Sequence, residues 1–261
     1  MSSGIAVLKI GGSVLTGRHA YRHAADHIGV RLDARPDERI VAVVSAGNGV
    51  TDALLATARE IVADPAPGIL DLLWSTGELR SAALLALWLH STGVTAAAVN
   101  VHQTGVVHQR GQSAPGTSRI NPLRLRALLA DHAVVVVPGF LARGAGDAVV
   151  SLGRGGSDLT AVLLAAALGA RRCELLKDVP GYFTADPKRD PGARPLDSLS
   201  YSRALEMADQ GCELVQRRAL EQAHTLSVPI VVTAIGHGTG TTIGAFSRLT
   251  AERHEGDQRW R

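Results

Sequence analysis

Short apolar runs alternate with longer segments of helical period along this chain, and this alternation argues for βα units around a largely parallel sheet. All-α and all-β folds are excluded by it. The runs at 5–10, 40–45, 95–101, 133–137, 148–152, 173–176 and 229–233 read as strands. Segments near 19–32, 51–63, 77–90, 122–131, 158–168, 202–209 and 212–226 read as helices. The stretch Asp64-Pro65-Ala66-Pro67-Gly68 breaks the helical pattern, and residues 102–119 form a polar, glycine-bearing loop. A chain of 261 residues holds one large α/β domain or two small ones, and no repeat or linker divides it into unrelated parts. A softer division near Arg171 separates 1–170 from 171–248, and the tail at 249–261 alternates charges without an apolar face and is expected to fray.

Of 27 basic residues only Lys9, Lys177 and Lys188 are lysines, so each of the three calls for a reason in a chain that otherwise uses arginine. A net charge of +3 without a block of like charges, and only three residues each of Phe, Trp and Tyr, argue against nucleic acid as a partner. Cys173 and Cys212 have no CxxC spacing and no His at metal spacing, so they read as small buried hydrophobes in a reducing compartment. Lys9 interrupts the only apolar run near the N-terminus, and no apolar stretch reaches the roughly 20 residues of a membrane span. A soluble, cytoplasmic protein with no membrane partner is expected.

Two glycine loops follow strands and precede helices. The first is Gly11-Gly12-Ser13 after Lys9-Ile10, a turn whose free N–H groups suit a phosphate; a tight βα turn with an incidental Lys is the plainer account. The second, Gly153-Arg154-Gly155-Gly156-Ser157-Asp158, is more specific. Helix capping by Ser157 or Asp158 is its ordinary explanation, but capping leaves Arg154 between glycines unexplained. A planar guanidinium there can grip a carboxylate through two hydrogen bonds. Two such loops at strand ends point to one crevice at the carboxyl edge of the sheet. A third loop, 177–188, gathers Lys177, Asp178, Tyr182, Phe183, Asp186 and Lys188 between two turn formers, Pro180-Gly181 and Asp186-Pro187. It offers an aromatic face for adenine and ammonium groups for phosphates.

These segments resemble the amino-acid kinase superfamily and, within it, the aspartokinases. The resemblance rests on KIGGS from Lys9, VVSAGNGVTD ending at Asp52, TGELRSAALL from Thr76, VPGFLA from Val137 and LGRGGSDLTAVLLAAAL from Leu152. It continues through KDVPGYFTADPK from Lys177, the block LSYSRALEMADQGCELVQRRALEQA from Leu199, and VPIVV followed by GTTI. The resemblance implies a three-layer αβα sandwich with a largely parallel central sheet, the amino-acid kinase or carbamate kinase-like fold. Residues 1–170 then form the acceptor side and 171–248 the nucleotide side of a single domain.

The implied activity is ATP-dependent phosphorylation of a small amino-acid carboxylate, L-aspartate to 4-phospho-L-aspartate, in amino-acid biosynthesis by a cytoplasmic homodimer. Lys9 and Asp158 would be catalytic, and Lys9 with Gly11, Gly12 and Ser13 would contact the transferring phosphates. Ser45, Thr51, Glu78, Arg154, Gly155, Gly156 and Ser157 would surround the acceptor, with Arg154 on its α-carboxylate and Glu78 on its α-ammonium group. Lys177, Asp178, Phe183, Asp186 and Lys188 would line the ATP site, and Mg²⁺ would be held mainly by the ATP phosphates. Ordinary readings stand beside these: Glu78 as a first-turn carboxylate on a helix dipole, Ser45 as a strand-end hydroxyl, Thr51 as a helix cap.

An aspartate side chain, which titrates in water at about pH 3.9, is already ionised at neutral pH and needs no general base. The obstacle is repulsion between that carboxylate and the γ-phosphate, so catalysis is positioning plus positive charge. Departures from the family pattern leave other readings in play. The first turn is shorter than the family's, and only 24 residues separate Asp52 from Gly77, where aspartokinases carry a larger insertion. A kinase for another small anion, such as a phosphonate, a phosphate monoester or another amino acid, is one alternative; a non-catalytic nucleotide or oxyanion binder is another. The resemblance stops before the pair of regulatory ACT modules that aspartokinases usually carry, so feedback through them is not expected. Lys177 replaces a usual Thr and Glu213 a usual Lys, an exchange in which Lys177 would supply the nucleotide-site charge from across the site.

Overall fold

The computed structural model describes residues 4–108, 119–187 and 189–245. Lys188, the tail at 249–261 and most of the 102–119 loop lie outside the described residues. The chain begins β1 (Ile5–Ile10), α1 (Arg18–Ala34), β2 (Arg39–Val44), α2 (Val50–Ile61) and α3 (Pro67–Ser91), then runs through β3 (Ala96–Ala98), β4 (Val106–Val107), β5 (Arg119–Ile120) and α4 (Leu123–Asp131). Next come β6 (Val134–Pro138), β7 (Leu141–Arg143), β8 (Val149–Ser151), α5 (Gly156–Leu168) and β9 (Cys173–Lys177). The last elements are β10 (Ser198–Ser200), α6 (Tyr201–Asp209), α7 (Arg217–Thr225), β11 (Ile230–Ala234) and β12 (Thr241–Gly244).

Eight strands form the central sheet in the order β10-β12-β11-β9-β1-β2-β6-β3, parallel except where β12 runs against β11. Strands β1, β2, β6 and β11 are apolar at nearly every position because both faces are covered, whereas β10 and β12 at one edge are short and largely polar. Ala6, Leu8 and Ile10 of β1, Ile40, Ala42 and Val44 of β2, and Val134 and Val136 of β6 pack with α1 and α3. The alternate residues, Val7, Val41, Val43, Val135 and Val137, pack on the other side with α4, α5, α6 and α7. Three layers result, as expected. A second sheet, β5-β4-β7-β8, is built from strands of two or three residues.

Two helix starts differ from the expectation. α7 begins at Arg217, five residues after the anticipated 212, because 213–215 are turn and bend. α3 begins at Pro67, ten residues before the anticipated start at 77, because Pro67 occupies the first helical position, where its missing N–H is harmless. Gly77 then lies inside the helix, where a Cβ would come 3.0 Å from Val50 Cγ1 and 3.2 Å from Ala46 Cβ. Glycine lets α3 approach the loop after β2.

The chain leaves β1 for β2 on one side, and its return strand β9 pairs with β1 on the other. Strand order reverses at this point, and the crevice outside the carboxyl ends of β1 and β9 is the natural ligand position of such a sheet.

Candidate active site

Lys9 is the penultimate residue of β1 and Lys177 the last of β9, and alternation turns both side chains to the face covered by α5. There they meet Asp158, in the first turn of α5: Lys177 Nζ donates to Asp158 Oδ2 at 2.8 Å, and Lys9 Nζ lies 2.8 Å from Oδ1. The Lys9 contact is ionic, off the hydrogen-bonding direction. Side-chain exposures are 7 % for Lys9, 12 % for Lys177 and 3 % for Asp158. Burial works against charge on Asp158, yet the ammonium groups of Lys9 and Lys177 hold its carboxyl down at about 2. Burial, and then the neighbouring Lys9 charge, push Lys177 below the ordinary lysine range. Two cations share one anion, so the cluster carries excess positive charge in a water-poor site.

The glycine turns frame this cluster. Gly11 N–H donates to Leu176 O at 3.2 Å, tying the first turn to β9. A Cβ on Gly12 would stand 2.8 Å from Ala46 O, so only glycine permits this approach, and Ser45 lies beside it. Ser13 Oγ donates to Asp178 Oδ1 at 3.0 Å, joining the first turn to the third loop. Neither hydroxyl-bearing candidate cap is one: the caps of α2 and α5 are Gly49 and Gly155, both left-handed, with no side-chain hydrogen bond. Thr51 is the second residue of α2, and Ser157 and Asp158 are freed from capping for other work. Gly155, at φ 71°, also leaves no room for a Cβ, which would fall on the Gln216 side chain. Arg218 Nη1 donates to Leu152 O at 2.7 Å, so the start of α7 braces this loop.

Glu78 is not a first-turn carboxylate; it lies in the middle of α3, buried, with a backbone hydrogen bond from Ala46 and with Oε2 unpartnered. Burial pushes its pKa up to about 8, against the opposing pull of Ala46 and Lys9. The folded chain thus holds a proton that the unfolded chain releases above the ordinary carboxylate range. Stability should therefore fall as pH rises from about 4.5 to about 8 and level off beyond. Glu78→Gln should flatten that slope in melting temperatures measured across this range; an unchanged slope would assign it to other groups.

Arg154 is 86 % exposed, with Nη2 3.7 Å from Glu213 Oε2. Glu213 therefore faces Arg154. Tyr182 corrects an expectation: it is buried in the core beneath the third loop, which leaves Phe183, half-buried and bridged to Pro195, as the only aromatic of that loop available to a ligand. Asp186 lies further along and accepts from the N–H groups of Arg189 and Asp190. Trp74, outside every motif, and Phe140, inside the VPGFLA stretch but given no role there, stand at the site. Phe140 has a left-handed φ of 68° at the β6–β7 turn and packs edge-on against Trp74. Pro67 at a helix start was the available signal for Trp74, because it extends α3 back across that residue.

A sequence profile of the amino acid kinase family matches residues 4–234. An aspartokinase of Geobacillus stearothermophilus is 37 % identical over 252 residues, covering 96 % of this chain and 61 % of the relative. The crystal structure of aspartate kinase from Synechocystis superposes with a TM-score of 0.81 at 32 % identity, covering 93 % of this chain and 40 % of that one. E. coli aspartokinase III in complex with aspartate and ADP superposes with a TM-score of 0.77 at 25 % identity, covering 93 % of this chain and 65 % of that one. The chain spans about three-fifths of the length of the first of these relatives.

Proposed function

Because the chain belongs to the amino acid kinase family, we propose that it transfers the γ-phosphoryl group of ATP to the side-chain carboxylate of L-aspartate, giving 4-phospho-L-aspartate and ADP. The observation that carries this reading is the Lys9–Asp158–Lys177 cluster at the switch point of the sheet, a buried excess of positive charge where two anions must meet. The complex of E. coli aspartokinase III with aspartate and ADP supports the choice of both substrates.

In this reading an oxygen of the aspartate carboxylate attacks the γ-phosphorus, the bond to the bridging oxygen breaks, and the electron pair leaves with ADP. No proton moves. Lys9 Nζ holds the transferring phosphoryl group, and Asp158 fixes Lys9 and Lys177 in place rather than acting as a base, since its carboxyl is the anion both cations neutralise. The Gly11-Gly12-Ser13 turn serves the phosphates through the backbone N–H groups of Gly12 and Ser13, while the Gly11 N–H, bonded to Leu176 O, and the Ser13 hydroxyl, bonded to Asp178, hold the turn in place. Lys177, Asp178, Phe183, Asp186 and Lys188 serve the nucleotide; Ser45, Thr51, Glu78 and the 154–157 loop serve the acceptor. Glu78 takes the α-ammonium group, whose arrival supplies the partner its Oε2 lacks and favours the ionised carboxylate that burial alone disfavours. Mg²⁺ comes with the ATP phosphates and screens their charge. A cytoplasmic homodimer acting in amino-acid biosynthesis belongs to the same proposal.

Trapping with hydroxylamine tests it. Hydroxamate that requires both ATP and aspartate is the expected result. ADP release without hydroxamate across a panel of acceptors would assign a different acceptor group, and neither product would make the chain a binder.

A further inference from the structure

Trp74 stands one helical turn before Glu78 on α3, so the two side chains share a face of that helix. Trp74 Nε1 is buried without a hydrogen-bond partner, and so is Glu78 Oε2. A buried indole N–H normally finds an acceptor, because leaving it unpaired forfeits its hydration for nothing. The Trp74 ring meets Phe140 edge-on, with centroids 5.9 Å apart and planes at 69°. Phe140 in turn abuts the start of α5: a Cβ on Gly156 would lie 3.1 Å from Phe140 Cα, and Leu152 N–H donates to Phe140 O at 2.7 Å. Trp74, Phe140 and the first turn of α5 therefore form a continuous wall, with Glu78 one turn further along α3.

The two unpartnered atoms on this helix face are complementary in kind. One is a hydrogen-bond donor and the other an oxygen of the Glu78 carboxyl, which an arriving ammonium group would favour in its ionised form; a zwitterion satisfies both through one of its oxygens and its ammonium group. We propose that Trp74 is an acceptor-recognition residue, its indole N–H donating to a carboxylate oxygen of the amino acid whose ammonium group Glu78 holds. This rests on the carboxylate-kinase reading above and adds to it a residue that sets which acceptors fit: those carrying an oxygen within reach of the indole nitrogen.

Two variants separate a donor from a packing residue. Trp74→Phe keeps a ring against Phe140 and removes the N–H; Trp74→His removes apolar area and keeps a ring N–H. With initial rates in the hydroxamate assay, Trp74→Phe should raise the aspartate KM about tenfold, the scale of one buried hydrogen bond to a charged group, while the ATP KM stays within about twofold. Trp74→His should recover part of the aspartate KM even though it melts at a lower temperature than Trp74→Phe. A packing role gives the opposite order, with Phe better than His on both measures. That order, or an aspartate KM unchanged in Trp74→Phe, would overturn the assignment. Turnover of the unaltered chain is scored separately, so failure of the functional reading, no hydroxamate from the unaltered chain, is distinct from failure of the Trp74 role.

Discussion

Lys9→Met is expected to lower kcat by about 10²–10³-fold, the effect of deleting one preorganised group that faces developing charge, while leaving the chain folded. Both halves follow from the same geometry. Lys9 and Lys177 share the single carboxylate of Asp158, so removing Lys9 leaves Asp158 with its hydrogen-bonded partner, Lys177 Nζ at 2.8 Å. The buried cluster loses its surplus charge instead of acquiring an unpaired one, and Met fills much of the volume of the lysine stem. A melting temperature within a few degrees of the unaltered chain is the expected outcome. Lys9→Arg should not restore turnover, because a planar fork cannot replace a compact ammonium group that lies about 3.4 Å from where a Gly11 Cβ would stand. Hydroxamate rates and a thermal melt read both effects. Near-normal kcat in Lys9→Met would remove Lys9 from the chemistry, and loss of folding would show that its role is structural.

The features legible in the sequence were those whose physical cause is local. Apolar runs mark β1, β2, β6, β9 and β11 because strands covered on both faces are largely apolar, and α5 is visible from the apolar segment after the second glycine loop. The scarcity of lysine singles out Lys9 and Lys177 as phosphate-binding candidates, but that the two share the carboxylate of Asp158 is visible only in the fold. Tertiary contacts decided the rest. β4, β5, β7, β10 and β12 are two to four residues long and exist through pairing with distant partners, so no periodicity announces them. Pro65, Pro67 and Gly68 looked like a break in the helical pattern, whereas Pro67 starts a helix that brings Trp74 and Glu78 to the site. Tyr182 and Phe183 are adjacent in a turn-rich loop, and only packing tells which of them is swallowed by the core.

Asp158→Asn should damage both stability and turnover, in contrast to Lys9→Met. An amide cannot balance two ammonium groups, and stripping the counter-charge from a buried ionic cluster costs about 3–5 kcal/mol. The pH dependence identifies the cause. In the unaltered chain the Asp158 carboxyl is held at about 2, below the ordinary carboxylate range, so its contribution is complete at neutral pH. It is lost only as pH falls from about 4 towards about 2. The difference in melting temperature between the unaltered chain and Asp158→Asn should accordingly be full at pH 7 and shrink in that acid window. The variant should also regain stability as pH rises towards the alkaline range. Lys177, which burial already holds below the ordinary lysine range and which would then lack its anion, binds its proton more weakly folded than unfolded, so stability increases with pH. Adding Lys177→Thr to Asp158→Asn removes one of the two stranded cations and should return part of the lost stability without returning turnover, a non-additivity expected only of residues in direct contact. Strict additivity of the two substitutions would show that the Lys9–Asp158–Lys177 cluster does not act as one electrostatic unit.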